Sequence, residues 1–214
     1  MVKAVLFDLD GTFADTAPDL ALALNIMRRE RGLPPVSAEA TRPVTSTGAR
    51  GMLRVGFGMT PEHPDYAAMR VEFLDLYARN LCVETCVFPG MTELLEAIGN
   101  AGAKWGIVTN KAERFAKPLL AHLDPDGCCA CVVGGDTTPF MKPNPEPMYA
   151  AARLLGIEPQ DAIYVGDDLR DIQAGHAAGM KTVAVRYGYL NGGAPDTWGA
   201  DWVVDCPQDM IPLL

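Results

Sequence analysis

Short apolar runs alternate along the chain with longer stretches in which apolar residues recur every three or four positions. Residues 2–7 form such a run, cut off by Asp8, and residues 104–108, 131–133, 162–165, 182–185 and 202–204 form five more. Runs of this length, bounded by turn residues and lacking in-and-out alternation, predict buried strands. Between them, Met91, Leu94, Leu95 and Ile98 share a helical face before Gly102, Met148, Ala151, Ala152 and Leu155 share one before Gly156, and residues 172–178 repeat the pattern before Gly179. Each glycine falls where a helix C-terminus calls for a left-handed residue. Alternating strands and helices, with strands apolar on both faces, predict an α/β fold: a Rossmann-like parallel sheet with helices on both faces.

The stretch between the first two strands breaks the rhythm. Residues 15–82 read as wholly helical: Thr16 stands as an N-cap with Pro18 in the first turn, and Leu20, Leu24 and Met27 recur until Gly32. Tyr66, Met69, Phe73, Leu76 and Tyr77 line a second helical face. One crossover needs far less chain, so residues 15–82 are expected to be an inserted α-helical cap, with residues 1–14 and 83–214 forming the core.

Composition narrows the function. Of 214 residues 49% are apolar and 21% charged, which is ordinary for a globular chain. Eighteen basic against 27 acidic residues give a net charge of -9. Without a basic stripe to follow a phosphate backbone, nucleic acid is a poor partner. No apolar run approaches the ~20 residues of a membrane span, so no membrane association is expected, and a cytoplasmic protein is. The six cysteines suggest no disulfide framework. Cys82, Cys86, Cys128 and Cys131 would supply four thiolates to zinc, but a lone C-x2-C is weak grounds, and cysteine is often simply a small buried apolar residue.

Candidate chemistry gathers after the strands. In open parallel sheets ligands bind beyond the carboxyl ends of the strands. The first strand runs into Asp8-Leu9-Asp10-Gly11-Thr12, where Asp8 and Asp10 share a side and Leu9 faces the core. The second ends at Thr109-Asn110-Lys111, Lys142-Pro143 follows the third, and Gly166-Asp167-Asp168-Leu169-Arg170-Asp171 follows the fourth. Carboxylates gathered this closely repel one another unless a cation joins them, and a small set of hard oxygen ligands points to Mg2+. Phosphoryl transfer uses every part: a metal and a lysine to spread charge, one carboxylate to attack phosphorus, another to move protons.

These four ordered motifs, spanning nearly the whole chain, resemble those of the haloacid dehalogenase superfamily. The resemblance implies a Mg2+-dependent phosphomonoesterase with Asp8 as nucleophile and Asp10 as general acid/base, and with Thr109, Asn110 and Lys142 on the phosphate. It also implies Asp8, Asp167 and the Asp10 carbonyl on the metal, supported by Asp168 and Asp171. Asp10 favours phosphate esters, because the dehalogenases of the superfamily lack that second aspartate. The helical insertion is similar to the cap of phosphoglycolate phosphatase-like members. Asp15-Thr16-Ala17-Pro18-Asp19, Gly48-Ala49-Arg50 and Val185-Arg186-Tyr187-Gly188-Tyr189 resemble stretches of the N-acetylmuramic acid 6-phosphate phosphatases of cell-wall recycling. Phe13 and Asn144 depart from the usual leucine and aspartate at positions without assigned chemistry.

The expected partner is therefore a small phosphorylated metabolite, an acid or sugar such as 2-phosphoglycolate or N-acetylmuramic acid 6-phosphate, bound by a monomer or weak homodimer. Arg50, in a loop rich in Thr, Ser and Gly, is the cap residue expected to hold a substrate carboxylate, and it does not choose between these two acids. His63, His122 and His176 are dispersed and take no role, and Arg186 and Tyr187, after the fifth strand, are read either as near the site or as structural. Two other functions stay open: a sugar-phosphate mutase sharing the intermediate, and a phospho-acceptor regulatory domain, which the insertion and Asp10 oppose. A dinucleotide-binding domain lacks its G-x-G-x-x-G after the first strand.

Overall fold

The computed structural model describes residues 1–214. In chain order its elements are strands β1 (Ala4–Phe7) and β2 (Ala14–Asp15), helices α1 (Ala17–Glu30), α2 (Ala38–Thr41), α3 (Gly48–Phe57) and α4 (Tyr66–Arg79), and strand β3 (Cys86–Val87). There follow α5 (Met91–Asn100), β4 (Lys104–Val108), α6 (Glu113–Leu123), β5 (Val132–Val133), α7 (Glu146–Leu155), β6 (Ala162–Gly166), α8 (Leu169–Ala178), β7 (Lys181–Val185) and β8 (Trp202–Val204). Six strands make one parallel sheet in the order β5-β4-β1-β6-β7-β8.

Alternation along the strands assigns the two faces. Val5 and Phe7 pack with Met91, Leu94 and Ile98 of α5 and Leu119 of α6. Ala4 and Leu6 point the other way, onto Met148, Ala151 and Leu155 of α7 and Ala174 of α8. With both faces covered, the strands carry no polar side, which is why they read as unbroken apolar runs. Each large side chain buried here is worth about 1.5–3 kcal/mol. Helix α6 escaped the periodicity reading because Pro118 interrupts Phe115, Ala116, Leu119 and Leu120. From β1 the chain steps to β4 and β5 on one side, then returns to β6 on the other. The carboxyl ends of β1 and β6 therefore flank a switch-point crevice.

Helices α1, α3 and α4 close around a cluster of their own, in which Leu20, Leu24, Met27, Met52, Leu53, Phe73 and Tyr77 are buried and Phe115 of α6 joins from below. Residues 15–82 are not wholly helical. Loops separate the helices, a 3-10 turn occupies Arg42–Thr47, and β2 pairs antiparallel with β3, Ala14 opposite Val87 and Asp15 opposite Cys86. These strands of two residues are too short to leave a periodic signal. Thr16 stands at the N-cap position, yet its side chain makes no cap bond. Its hydroxyl donates instead to Asp10 Oδ1 at 2.5 Å. No helix is long and apolar enough to cross a membrane.

The sheet's far edge is pinned by Asp201, which accepts from Lys181 Nζ at 2.6 Å and from the Thr182 N–H at 2.9 Å, with His176 Nε2 at 3.3 Å. Burial raises its pKa, but these partners outweigh burial and draw it down to about 2. A carboxylate held below its unfolded value near 3.8 contributes stability that is complete above that value and disappears as the pH falls through 2. Asp201→Asn is expected to destabilise the fold by about 1–2 kcal/mol at pH 7. Urea titrations of both proteins across pH 2–7 check this: the difference should shrink steadily below pH 4.

Candidate active site

The turn after β1 sets the geometry. The Asp8 N–H continues the ladder onto Val165 O at 2.9 Å, and the chain then folds back so that Phe13 N–H donates to Asp8 O and Ala14 N–H to Leu9 O. Leu9 is buried on the α5 side, leaving Asp8 and Asp10 toward the crevice. Gly11, at φ +88°, makes the turn possible, since a Cβ there would lie 2.3 Å from Asp167 Oδ2. Asp167, at the end of β6, is fully buried and accepts from Thr12 Oγ1 at 3.2 Å and from the Tyr189 N–H at 2.8 Å.

Asp168 and Asp171 open α8 as a capping box. Asp168 Oδ1 accepts from the Arg170 N–H at 2.9 Å and its carboxylate holds the Arg170 guanidinium in two bonds, while Asp171 Oδ2 accepts from the Asp168 N–H at 3.0 Å. Gly166 lets Asp171 lie against the strand end, where a Cβ would meet its carboxyl carbon at 2.3 Å. Asp8, Asp167 and Asp171 thereby each place a carboxylate oxygen within 4.8 Å of the others. Asp10 points elsewhere. Its carboxylate pairs with Lys111 Nζ at 2.8 and 3.1 Å, and the ammonium also lies 4.7 Å from the centre of the Tyr77 ring.

Lys142 binds the cluster together. Its ammonium, almost wholly buried, lies 3.0 Å from Asp8 Oδ1 and 2.7 Å from Asp171 Oδ1, and donates to Tyr164 OH at 2.7 Å and Val108 O at 3.1 Å. Tyr164 in turn donates to Val108 O at 2.7 Å. Asn110 clasps the Lys142 backbone from both sides, its Nδ2 donating to the carbonyl and its Oδ1 accepting from the N–H, each at 3.0 Å. Thr109, also buried, accepts the Lys111 N–H at 3.2 Å. Arg50 is exposed, and lies in the first turn of α3 rather than in a loop.

Charge decides what this arrangement suits. Burial, followed by Asp8 and Asp171, pushes Asp167 well above the usual carboxylate range. Burial and Asp8 likewise raise Asp171 to about 6 against the pull of Lys142. Asp10 is neutralised by Lys111 and Asp168 by Arg170, so Asp8, Asp167 and Asp171 with Lys142 leave a formal charge of about −2 in a buried site. A hard dication balances that charge and those oxygens. The cysteines assemble no comparable group, and all six are free.

The carboxylates floor a cavity of about 1110 Å3 roofed by α3, α4 and the 42–47 turn, and Asp8, Asp10, Thr109, Asn110, Lys142, Asp168, Asp171 and Arg50 all line it, with Asp167 buried behind. Lys111 and Tyr164 received no role from sequence. Lys111 closes the quoted Thr-Asn-Lys triplet, a usable signal, whereas Tyr164 read as strand core and only the tertiary fold sets its hydroxyl under Lys142. Arg186 pairs with Asp196 and Asp205, and Tyr187 donates to Thr12 O at 3.1 Å.

Comparison with known proteins agrees with this geometry. The family model described as haloacid dehalogenase-like hydrolase matches residues 5–185. The chain is 45% identical to an N-acetylmuramic acid 6-phosphate phosphatase of Pseudomonas aeruginosa over 214 residues, covering 100% of this chain and 95% of that protein. It is 43% identical to a phosphoglycolate phosphatase of Xanthomonas campestris pv. campestris over 212 residues, covering 97% and 94%. The crystal structure of a predicted phosphoglycolate phosphatase from Haemophilus somnus superposes with a TM-score of 0.87 at 29% identity, over 99% of this chain and 97% of that one.

Proposed function

The chain belongs to the haloacid dehalogenase-like hydrolases and is a phosphatase, and from that premise we propose that it is a Mg2+-dependent phosphomonoesterase acting through an aspartyl-phosphate on Asp8. The observation that carries this reading is the buried cluster of Asp8, Asp167 and Asp171 around Lys142, two positive charges short of neutrality at the β1/β6 crevice. Asp8, Asp167 and Asp171 would hold the ion, which when bound supplies a Lewis acid that neutralises phosphoryl oxygens.

The chain's own groups do the rest. Lys142, held by two carboxylates, a hydroxyl and a carbonyl, presents a fixed positive charge to the phosphate, and Thr109 and Asn110 shape the wall beside it. An Asp8 carboxylate oxygen attacks phosphorus as the ester P–O bond breaks, and Asp10, turned from Lys111 and protonated for this step, gives the departing alkoxide its proton. Water then attacks the same phosphorus, the P–O bond to Asp8 breaks, and Asp10 takes the proton from that water. The helical roof acts as a cap that keeps bulk water from the ester until the alcohol has formed.

The substrate in this reading is a small phosphorylated acid or sugar, taken up by a monomer or weak homodimer in the cytoplasm. The relatives' names suggest 2-phosphoglycolate and N-acetylmuramic acid 6-phosphate as first trials, the second placing the enzyme in cell-wall recycling. Phosphate release is expected to fall at least about 100-fold on chelation and to return with added Mg2+. Turnover unaffected by chelator would overturn the metal assignment.

A further inference from the structure

The hydroxyl of Tyr189 does for α1 what the side chain of an N-cap residue usually does. Thr16 and Ala17 open that helix, and both of their N–H groups donate to this one oxygen, at 2.7 and 2.9 Å. The next residue, Pro18, has no N–H to satisfy. The phenol donates in turn to Asp15 Oδ1 at 2.8 Å, so its single hydrogen and both lone pairs are in use. Thr16 is thereby released from capping. Its buried hydroxyl turns instead to Asp10 Oδ1, 2.5 Å away.

The same residue is fixed to the acidic cluster from the other side. Its N–H donates to Asp167 Oδ2 at 2.8 Å, and its ring lies against the Asp8–Thr12 turn, where a Cβ on Gly11 would meet Tyr189 Cδ2 at 2.8 Å. Arg42 of the cap packs over the ring, its guanidinium 5.0 Å from the ring centre, while pairing with Asp15 at 2.8 Å. Tyr189 is buried, which raises the pKa of its phenol, so the group stays protonated and holds its neighbours without exchanging a proton with them. Leu190 and Asn191 then follow at φ +59° and +46°, left-handed values that a leucine disfavours, so the anchors at Tyr189 rather than local preference fix the segment.

We propose that Tyr189 is a positioning residue of the phosphatase reaction: it holds the entry to α1 so that the Thr16 hydroxyl sets the orientation of Asp10. A hydrogen bond donated to Asp10 Oδ1 leaves Oδ2 as the oxygen that carries the proton once the side chain has turned from Lys111. As the ester P–O bond breaks, the departing alkoxide takes that proton from Oδ2, and Asp10 is left as a carboxylate. The backbone N–H of Tyr189 meanwhile keeps Asp167 in place, so the hydroxyl serves proton transfer and the main chain serves the metal side. The inference rests on the phosphatase reading and adds to it the residue that aligns its general acid.

Two esters with different leaving groups test it. An alkyl ester, the better of 2-phosphoglycolate and N-acetylmuramic acid 6-phosphate, needs a proton on its departing oxygen, whereas 4-nitrophenyl phosphate releases a weakly basic phenolate that does not. Because kcat/KM reports only on steps up to release of the alcohol, it isolates the acid's role. Tyr189→Phe, which keeps the ring and the N–H to Asp167, is expected to lower kcat/KM about tenfold or more for the alkyl ester and threefold or less for the aryl one. The Mg2+ concentration for half-maximal rate should stay within about twofold of wild type. Thr16→Val should show the same selective loss, and the double variant should be no more than about twofold worse than the poorer single, since both act through one contact. Equal losses on the two esters, a raised Mg2+ requirement, or losses that multiply in the double variant would make Tyr189 merely structural and leave the phosphatase standing. Should Tyr189→Phe fail to fold, Thr16→Val decides alone, because it keeps every contact of Tyr189, and the absence of a selective loss there overturns the proposal. Wild-type protein that releases phosphate from none of the three esters would overturn the phosphatase reading as well.

Discussion

Asp8→Asn is expected to lower phosphate release by about 10^4-fold or more, roughly 5 kcal/mol of transition-state stabilisation. The amide keeps the shape of the carboxylate but carries neither its charge nor its nucleophilicity. The substitution removes the atom that bonds to phosphorus and weakens the hold on Lys142, whose ammonium lies 3.0 Å from Asp8 Oδ1. The fold should survive, because Asp8 N and O keep the backbone contacts of the β1 turn and the amide oxygen of asparagine can still accept the Leu9 N–H that Asp8 Oδ1 accepts at 2.7 Å. Initial rates for the purified variant, beside a thermal melt confirming that it is folded, decide the matter. Residual activity within about tenfold of wild type would remove Asp8 from the chemistry.

Lys142→Met should be the most destabilising single change at the site. It removes the one ammonium between Asp8 and Asp171 and leaves two carboxylates facing each other in a buried space. Breaking a buried pair from one side costs about 3–5 kcal/mol, and at roughly 2–4 °C per kcal/mol for a chain of this size the melting temperature should drop by about 10 °C. Tyr164 OH would lose a donor as well. Because the cluster becomes more negative by one charge, Mg2+ should recover part of the loss, and melts with chelator and with Mg2+ measure that recovery. A variant as stable as wild type in chelator would mean the carboxylates do not depend on Lys142.

The sequence carried the site's parts more clearly than their pairing. Asp8 and Asp10 were legible because β1 is buried on both faces and alternation then places Leu9 inward; Lys142 and Asp167 were legible because each follows a strand in a parallel sheet. What each carboxylate binds was not legible. Asp171 read as a support for the metal, yet the capping box that starts α8 and the missing side chain at Gly166 bring it beside Asp8 and Asp167. Asp10 read together with Asp8, yet its side chain leans to Lys111 and Thr16, contacts set by the loop after β4 and the entry to α1. Periodicity registered the helices of the insertion through Leu20, Leu24, Phe73 and Tyr77 but passed over the β2/β3 pair, whose two-residue strands show no pattern. Arg50 was legible as a lone cation, whereas its company with Arg54, Arg70 and Arg114 exists only once α3, α4 and α6 meet around one cavity.

Trapping tests most directly whether phosphorus bonds to Asp8. An Asp10→Asn variant, slowed in the second half-reaction, is mixed with substrate and Mg2+, quenched, reduced with borohydride and mapped by peptide mass spectrometry. Reduction turns an acyl phosphate into an alcohol, so the expected product is homoserine at position 8, absent without substrate and absent from the Asp8→Asn protein. An unmodified Asp8 in an enzyme shown to turn over, or reduction at any other carboxylate, would contradict the account.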